Sequence, residues 1–229
     1  MFDQIISLGN LFAAWREFRR GKRSRQDVQE FERHLEDNIF VLHRELVEGR
    51  YRHGSYHRFH IFDPKHRIIH KATVRDRLVH HAVYRVLYPL FDRSFIFDSY
   101  SCRIGKGTHA AVDRLEQFTR QVSQNNTRPC WVLKFDIKKF FDSVDHGILL
   151  EILEKKIDDH KTIGLLNEIV GSYSTSNSVG GGVATWNSRI NGRSHRESNQ
   201  STICQCLLGR IRSFYQRRTH GSPLHSLYR

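Results

Sequence analysis

The regular spacing of apolar residues stops near residue 178, and this break limits how much of the 229-residue chain can form a packed fold. Upstream of the break, apolar residues recur at the spacing of helices and strands. Downstream, residues 183–229 are rich in Ser and Asn and carry eight Arg against one Glu, with neither Lys nor Asp. We therefore expect a globular part within residues 1–177, which can bury a core without disulfides or a metal, followed by an irregular tail.

Local signals within residues 1–177 predict a mixed α+β fold. Asp63 and Pro64 separate two short apolar runs, which is typical of a β-hairpin. Apolar residues at three- and four-residue spacing predict helices. Thr73 and Asp76 form a capping-box pattern before one of them, Gly49 can end another, and the acidic pair at 158–159 is expected to be a solvated helix terminus. The predicted elements are helices over 28–46, 74–90, 112–122, 148–157 and 161–171 and strands over 58–62 and 67–70.

An apolar run at 130–135 leads into Asp136 and predicts a buried strand that ends at a carboxylate. A carboxylate at the end of a strand can hold Mg²⁺ rigidly over a cleft. The aromatic pair Phe140 and Phe141 follows, and such a ring can pack under a sugar and sense its 2′ substituent. The alternative interpretation is an ordinary strand–turn–helix with an acidic cap.

Much of the formal charge of +13 is concentrated in a few segments. Residues 50–81 carry eight basic residues against Asp63 and Asp76, and residues 16–25 carry six against Glu17. These two clusters are candidate contacts for the phosphates of a nucleic acid. A solvated basic face explains the charge equally well.

Several function classes are disfavoured by composition. The apolar runs fall short of the roughly 18 residues that a membrane span needs, so no membrane association is expected. Four cysteines at irregular spacing indicate no disulfide framework, and a reducing cytoplasm is the expected compartment. Seven His fall between His53 and His81, but their spacing does not predict a zinc site.

Four segments in order carry a family resemblance: DPKHRII at 63–69, DRLVHHA at 76–82, FIFDSYSCRIGKGTHAA at 95–111 and LKFDIKKFFDSVDH at 133–146. In sequence and spacing they resemble bacterial reverse transcriptases of the group II intron, retron and diversity-generating retroelement type. The resemblance covers about residues 48–173.

The resemblance implies a right-hand polymerase fold, with fingers, a partial palm built on an antiparallel sheet with helices, and no thumb. The implied domains are an N-terminal helical extension at 1–50, a fingers-like region at 51–125, a partial palm at 126–177 and the irregular tail at 178–229.

The resemblance also implies a set of site residues. Asp136 would be the catalytic ligand of two Mg²⁺ ions and the Ile137 carbonyl a second metal ligand, while the ring of Phe141 would exclude a ribose 2′-OH. Lys65 and Arg67 would meet the triphosphate of the incoming dNTP. The expected partners are an RNA template, a DNA primer and a dNTP. The expected nucleic-acid contacts are Arg50, Arg52, Arg58, Lys71, Arg75 and Arg77.

The paired-aspartate motif of the family, of the Tyr-x-Asp-Asp type, does not occur in the sequence. Back-translation of residues 199–208, read one nucleotide forward, permits TSQLFANVYL. Residues 224–229 followed by a TGA stop permit YIRYTDD in the same way. These strings resemble the missing palm motifs in the right order, and the hypothesis is that residues beyond about 175–186 are translated out of frame.

Three functions follow for the chain. The first is a reverse transcriptase fragment that is inactive alone, because one carboxylate cannot hold two Mg²⁺ ions. The second is a non-catalytic module that binds nucleic acid through its basic residues. The third is a pseudogene product whose incomplete palm exposes sheet edges and aggregates.

Overall fold

The computed structural model describes residues 1–62, 66–136 and 144–173. Within these residues the chain forms eight helices and two strands, so the mixed helix and antiparallel-sheet composition expected from the sequence is confirmed. The elements are α1 (Phe2–Ile6), α2 (Leu8–Phe18), α3 (Gln26–Arg33), α4 (Leu35–Val47), β1 (His57–Phe62), β2 (His66–Lys71), α5 (Val74–Asp92), α6 (Thr108–Val122), α7 (His146–Glu154) and α8 (His160–Gly171).

The predicted hairpin is confirmed and is slightly longer than expected. β1 and β2 pair antiparallel, from His57 opposite Lys71 to Phe62 opposite His66. The turn residues 63–65 lie outside the described part of the chain. β2 leads directly into α5, so the capping residues of that helix follow the sheet at once.

The single helix predicted over 28–46 is wrong, because the structure divides it at His34. That residue adopts φ −123° and ψ 41°, which separates α3 from α4. The side chain of Asn38 donates to the carbonyl of Phe31 over 3.0 Å and satisfies one acceptor at the end of α3. The carbonyl of Phe31 therefore accepts from the Asn38 side chain, where the continuous helix predicted from the apolar repeat would have a backbone N–H. Gly49, at φ +67°, lies just beyond the end of α4 as expected.

The buried strand predicted over 130–135 is also wrong. These residues form neither helix nor strand, and Trp131 and Leu133 are 96% and 84% exposed. A strand needs a neighbour for its backbone N–H and C=O groups. The sheet of the described residues consists of β1 and β2, so this apolar run has no strand to pair with there.

Described residues of the chain divide into two compact units. The first contains 1–86 and 144–173, and the second contains 87–136. The first unit holds an apolar core to which seven helices contribute, with Ile5, Leu11, Trp15, Phe18, Val28, Ile39, Leu42, Leu78, Val79, Leu153 and Leu166 among its buried members. Burial of this extent is the main source of stability for a unit of this size.

The first unit also ties its N-terminus to α8. Asp159 caps that helix, accepting from the backbone N–H of Thr162 over 3.3 Å, and it also accepts from the backbone N–H of Phe2 over 2.6 Å. The hydrogen bond from Phe2 is the main reason that the pKa of Asp159 lies well below its ordinary value. The acidic pair at 158–159 is thus a helix terminus, as the sequence indicated, with an added long-range contact.

The second unit is organised around Arg103. Its guanidinium donates to the carboxylate of Asp92 over 2.8 Å and to the carbonyls of Ile96 and Ser99 over 3.1 and 3.3 Å. The hydrogen bond to Asp92 raises the pKa of Arg103. This one side chain therefore fixes the loop between α5 and α6, whereas α6 itself has no buried residue.

In the described ranges, none of the helices combines the length and the apolar character that a membrane crossing requires.

Candidate nucleic-acid interface

A fully buried carboxylate, Asp76, fixes the segment between α4 and the hairpin. Asp76 is 0% exposed and accepts from the hydroxyl of Thr73 over 2.6 Å, the hydroxyl of Tyr51 over 2.9 Å and the backbone N–H of Gly54 over 3.1 Å. An added Cβ at Gly54 would lie 3.0 Å from the Asp76 carboxylate, so this close approach leaves little room for a larger residue. Because three donors converge on one carboxylate, residues 51–56 have a defined path over the first unit.

Two stacked histidines, His53 and His80, extend this network. Their Nε2 atoms are 3.2 Å apart, and the Nδ1 of His53 lies 2.7 Å from the carbonyl of Gly54. Burial, followed by the neighbouring His53, lowers the pKa of His80 to about 3, so His80 is neutral at pH 7. A carbonyl only accepts, so Nδ1 of His53 is the donor to Gly54. The buried Nδ1 of His80 has no hydrogen-bond partner in the described structure.

Three of the basic residues predicted to contact nucleic acid are partly buried against acidic partners of the first unit. Asp27 accepts from Lys71 over 2.7 Å and from Arg77 over 2.5 Å, and Arg75 pairs with Glu45. Burial raises the pKa of Asp27, but the hydrogen bonds from Lys71 and Arg77 outweigh it and lower the pKa overall. Burial lowers the pKa of Arg77. These three side chains connect helices and the hairpin, and their contact with nucleic acid stays a prediction.

The other three predicted contacts are exposed. Arg50 pairs with its neighbour Glu48. Arg52 is 74% exposed at its side chain and lies 4.0 Å from the carboxylate of Glu168, and Arg58 is exposed on β1. Guanidinium groups on a surface can reach phosphate oxygens without breaking a buried ion pair. The six predicted contacts therefore form two groups: Lys71, Arg75 and Arg77 link elements of the fold through ion pairs, and Arg50, Arg52 and Arg58 lie on the surface.

The predicted polymerase residues are only partly within the described chain. Lys65, Ile137 and Phe141 lie outside it, as does the side chain of Arg67, whose backbone lies in β2 opposite Ile61. Asp136 is exposed at the end of the irregular run 130–135.

The described residues do not provide a Mg²⁺ site. In residues 1–62, 66–136 and 144–173, no group of three or more His, Cys, Asp or Glu is placed to hold a metal ion. A hard cation such as Mg²⁺ needs oxygen ligands in near-octahedral order. Asp136 does not assemble such a set with its described neighbours, so its role as a metal ligand stays a prediction.

A cavity of about 540 Å³ lies in the first unit beside the segment that Asp76 fixes. Three parts of the chain line it: residues 53–56, His70 of β2 and the C-terminal end of α8 with Tyr173. The rings of Tyr56 and Tyr173 meet at 5.6 Å and 79°, and Glu168 accepts from the backbone N–H of His53 over 2.9 Å. Aromatic, amide and carboxylate groups therefore face one space.

The residues of this cavity were not found by sequence reasoning. Glu168 and His53 are 115 positions apart, and no local pattern connects them. Asp76 was identified, but only as part of a capping box with Thr73, and that role is confirmed. Its further acceptance from Tyr51 links residues 25 positions apart, which a local motif does not reveal.

Comparison with known proteins gives a family match and several relatives. The model of the family described as reverse transcriptase (RNA-dependent DNA polymerase) matches residues 62–204, which is more than half of the chain. The matched range ends within the segment 178–229, for which the shifted reading frame stays a prediction.

Three relatives illustrate the similarity. Protein YkfC of Escherichia coli (strain K12) is 27% identical over 128 residues, covering 55% of this chain and 33% of that protein. Nuclear intron maturase 1, mitochondrial, of Arabidopsis thaliana is 28% identical over 92 residues, covering 40% and 12%. An uncharacterized 91 kDa protein in cob intron of Schizosaccharomyces pombe is 31% identical over 107 residues, covering 46% and 12%. The chain thus spans a third or less of the length of these relatives.

Proposed function

Because this chain belongs to the reverse transcriptase (RNA-dependent DNA polymerase) family, we propose that it binds RNA through exposed arginines of the first unit. Similarity to a protein named as an intron maturase and to a protein in a cob intron supports an intron transcript as the RNA. The observation that carries the proposal is the exposure of Arg52, in the segment before the hairpin, and of Arg58 on β1, while Asp27 already engages Lys71 and Arg77.

This assignment has a physical basis in the cost of each contact. A phosphate contact by Arg77 would have to break its 2.5 Å ion pair with Asp27 and move a guanidinium whose side chain is only 11% exposed. A phosphate contact by Arg52 gives up a 4.0 Å approach to Glu168 and a 2.9 Å hydrogen bond to the Tyr51 carbonyl, both made by an exposed side chain. Exposed arginines are therefore the favoured phosphate ligands.

The test is the salt dependence of RNA binding by the full chain. For a single-stranded RNA, each phosphate contact that is lost reduces the slope of log K against log salt by about 0.7. The variant that carries both Arg52→Gln and Arg58→Gln is expected to lose about 1.4 from this slope. Arg33→Gln, which removes an exposed arginine from α3, is the matched control and is expected to leave the slope unchanged. Equal slopes for the double variant and the wild-type chain would overturn the proposal.

The second candidate function is RNA-directed DNA synthesis, and the observation that supports it is that the family match includes Asp136. The roles proposed from the family are a metal ligand for Asp136, with the Ile137 carbonyl, triphosphate contacts for Lys65 and Arg67, and exclusion of the ribose 2′-OH for Phe141. Mg²⁺ would stabilise the attacking and leaving oxygens of the transfer to a primer 3′-OH. We propose that this chain alone does not perform the transfer.

Primer extension on an RNA template, with dNTPs and Mg²⁺, tests this second candidate. We expect no extension product above that of the Asp136→Ala variant. Extension by the wild-type chain that Asp136→Ala abolishes would show that the chain is a polymerase by itself. Extension that survives Asp136→Ala would show a contaminating polymerase, and repetition with further purified protein then decides the result.

A further inference from the structure

The cavity beside residues 53–56 has the size and lining of a site for one nucleobase. Its volume of about 540 Å³ is within the range of small-molecule sites in proteins. All of its lining residues lie in the first unit, so its shape depends on one packed body. The Asp76 network holds one wall, because Gly54 donates to that carboxylate over 3.1 Å.

The aromatic side chains of the lining provide surfaces for stacking. Tyr173 meets the ring of Tyr56 at 5.6 Å and the ring of His70 at 5.9 Å, both nearly edge to face. Tyr56 is held in turn by stacking on His53 at 4.9 Å and by a 3.1 Å hydrogen bond to the hydroxyl of Ser172. Proteins that bind single-stranded RNA place unstacked bases on such rings.

The charge of Glu168 determines which end of a nucleotide enters. A carboxylate in the cavity repels phosphate, so the base end enters and the phosphate stays outside. Arg52 is in place for that phosphate, because its guanidinium lies 4.0 Å from the Glu168 carboxylate and its side chain is largely exposed. One oxygen of Glu168 accepts from the backbone N–H of His53 over 2.9 Å, and a carboxylate has lone pairs for further donors.

We propose that this cavity binds a single unstacked nucleobase of the RNA, and that guanine is preferred. Guanine presents two adjacent N–H donors, at N1 and N2, which match the acceptor geometry of the Glu168 carboxylate. The exposed amide of Asn167, at the same wall, can donate to the neighbouring O6 acceptor. This inference rests on the proposed RNA binding and names the nucleotide class that the first unit selects.

The experiment compares two ten-nucleotide RNAs, one of uridines alone and one with a single central guanosine, by fluorescence anisotropy. Wild-type chain is expected to bind the guanosine RNA about tenfold more tightly, in line with one stacked and hydrogen-bonded base. Tyr173→Leu keeps apolar volume but removes the stacking ring, and it is expected to abolish the preference while uridine RNA binding changes less than about twofold. Asn167→Ala, at an exposed position, is expected to reduce the preference about threefold without affecting folding.

Glu30→Gln is the matched control for Glu168→Gln, since both exchange a carboxylate on a helix for an amide. Glu168→Gln is expected to remove most of the guanosine preference, and Glu30→Gln is expected to retain it. Titration with GMP and UMP, followed by NMR, reads the cavity without the rest of the RNA. Tight RNA binding with no guanosine preference in any variant would overturn the cavity proposal and leave the proposed function standing. If the chain binds GMP but does not bind RNA, the proposed function is overturned and the cavity proposal stands. If the chain binds neither RNA nor GMP, both proposals are overturned.

Discussion

The hydrogen bond from Tyr51 to Asp76 offers a quantitative test of how the first unit holds residues 51–56. Tyr51→Phe removes one donor, at 2.9 Å, from a carboxylate that is fully buried. Burial, followed by the charge of Asp76, raises the pKa of Tyr51, so its hydroxyl remains a donor at all ordinary pH values. A hydrogen bond to a charged group contributes about 1.5–3 kcal/mol, and we expect Tyr51→Phe to lower the free energy of unfolding by about 2 kcal/mol.

A double-mutant cycle isolates the charge contribution. In an Asp76→Asn background the same bond joins two neutral groups, and its loss is expected to cost about 1 kcal/mol. The coupling between Tyr51→Phe and Asp76→Asn is then about 1 kcal/mol, which is above the roughly 0.5 kcal/mol at which independent sites add. Glu30→Gln, which alters an exposed carboxylate that accepts from Gln26 over 3.2 Å, is the control and is expected to change stability by less than about 0.5 kcal/mol.

Urea unfolding followed by tryptophan emission is the assay, because Trp15 is buried in the core of the first unit. The slope of the free energy against urea concentration is expected to remain constant across the variants. A cost below about 0.5 kcal/mol for Tyr51→Phe, or strict additivity in the cycle, would refute the view that Asp76 organises residues 51–56.

Three further outcomes are expected. Asp27→Asn is expected to lower the free energy of unfolding by about 1 kcal/mol at pH 7, a modest cost because Asp27 is partly exposed. Because the pKa of Asp27 is lowered in the folded chain, this contribution is present above about pH 3.9 and is lost as pH falls further. Urea unfolding of wild type and variant at pH 7 and at pH 3 measures the difference. The folded-state pKa of His80, about 3, lies below its unfolded value of about 6.5, so the unfolded chain binds the proton first as pH falls. This group therefore lowers the free energy of unfolding by up to about 1.4 kcal/mol per pH unit between about pH 6.5 and 3. In urea titrations at several pH values, His80→Gln is expected to remove this part of the pH dependence of stability. Leu133→Lys is expected to raise the concentration at which light scattering detects aggregates, with less than about 0.5 kcal/mol change in stability, because Leu133 is exposed in an apolar run.

Elements with complete local signals could be predicted from the sequence. The hairpin has turn residues between two apolar runs, and α5 has Thr73 and Asp76 as its capping pair. The break at His34 could not be predicted from the apolar repeat, because a side chain, Asn38, competes for the carbonyl of Phe31. Periodicity reports which face is apolar, but it does not report such a competition.

The functional side chains were harder to predict, because charge counts do not show pairing. Arg52 and Arg77 both belong to the basic cluster at 50–81, yet Arg77 meets Asp27 across 50 positions of sequence. The cavity likewise depends on Glu168 meeting His53 across 115 positions. Such contacts arise from tertiary packing, and no pattern within a short window specifies them.

The failure at 130–135 has a different cause and bears on function. Apolar composition specifies that a segment gains by burial, but a strand forms only where neighbouring strands pair with its backbone. The described neighbours of this run form no such sheet, and Trp131 and Leu133 are exposed.

Asp136 directly follows this run. The proposed nucleotidyl transfer would therefore depend on a segment of the second unit that pairs with no strand among the described residues. RNA binding depends instead on Arg52, Arg58 and the Asp76 network of the first unit. The proposed RNA binding therefore rests on the first unit alone, whereas the proposed transfer needs Arg67 of β2 as well as Asp136 of the second unit. Because the Asp76 network holds one wall of the cavity, Tyr51→Phe is expected to weaken the guanosine preference of RNA binding in the anisotropy assay.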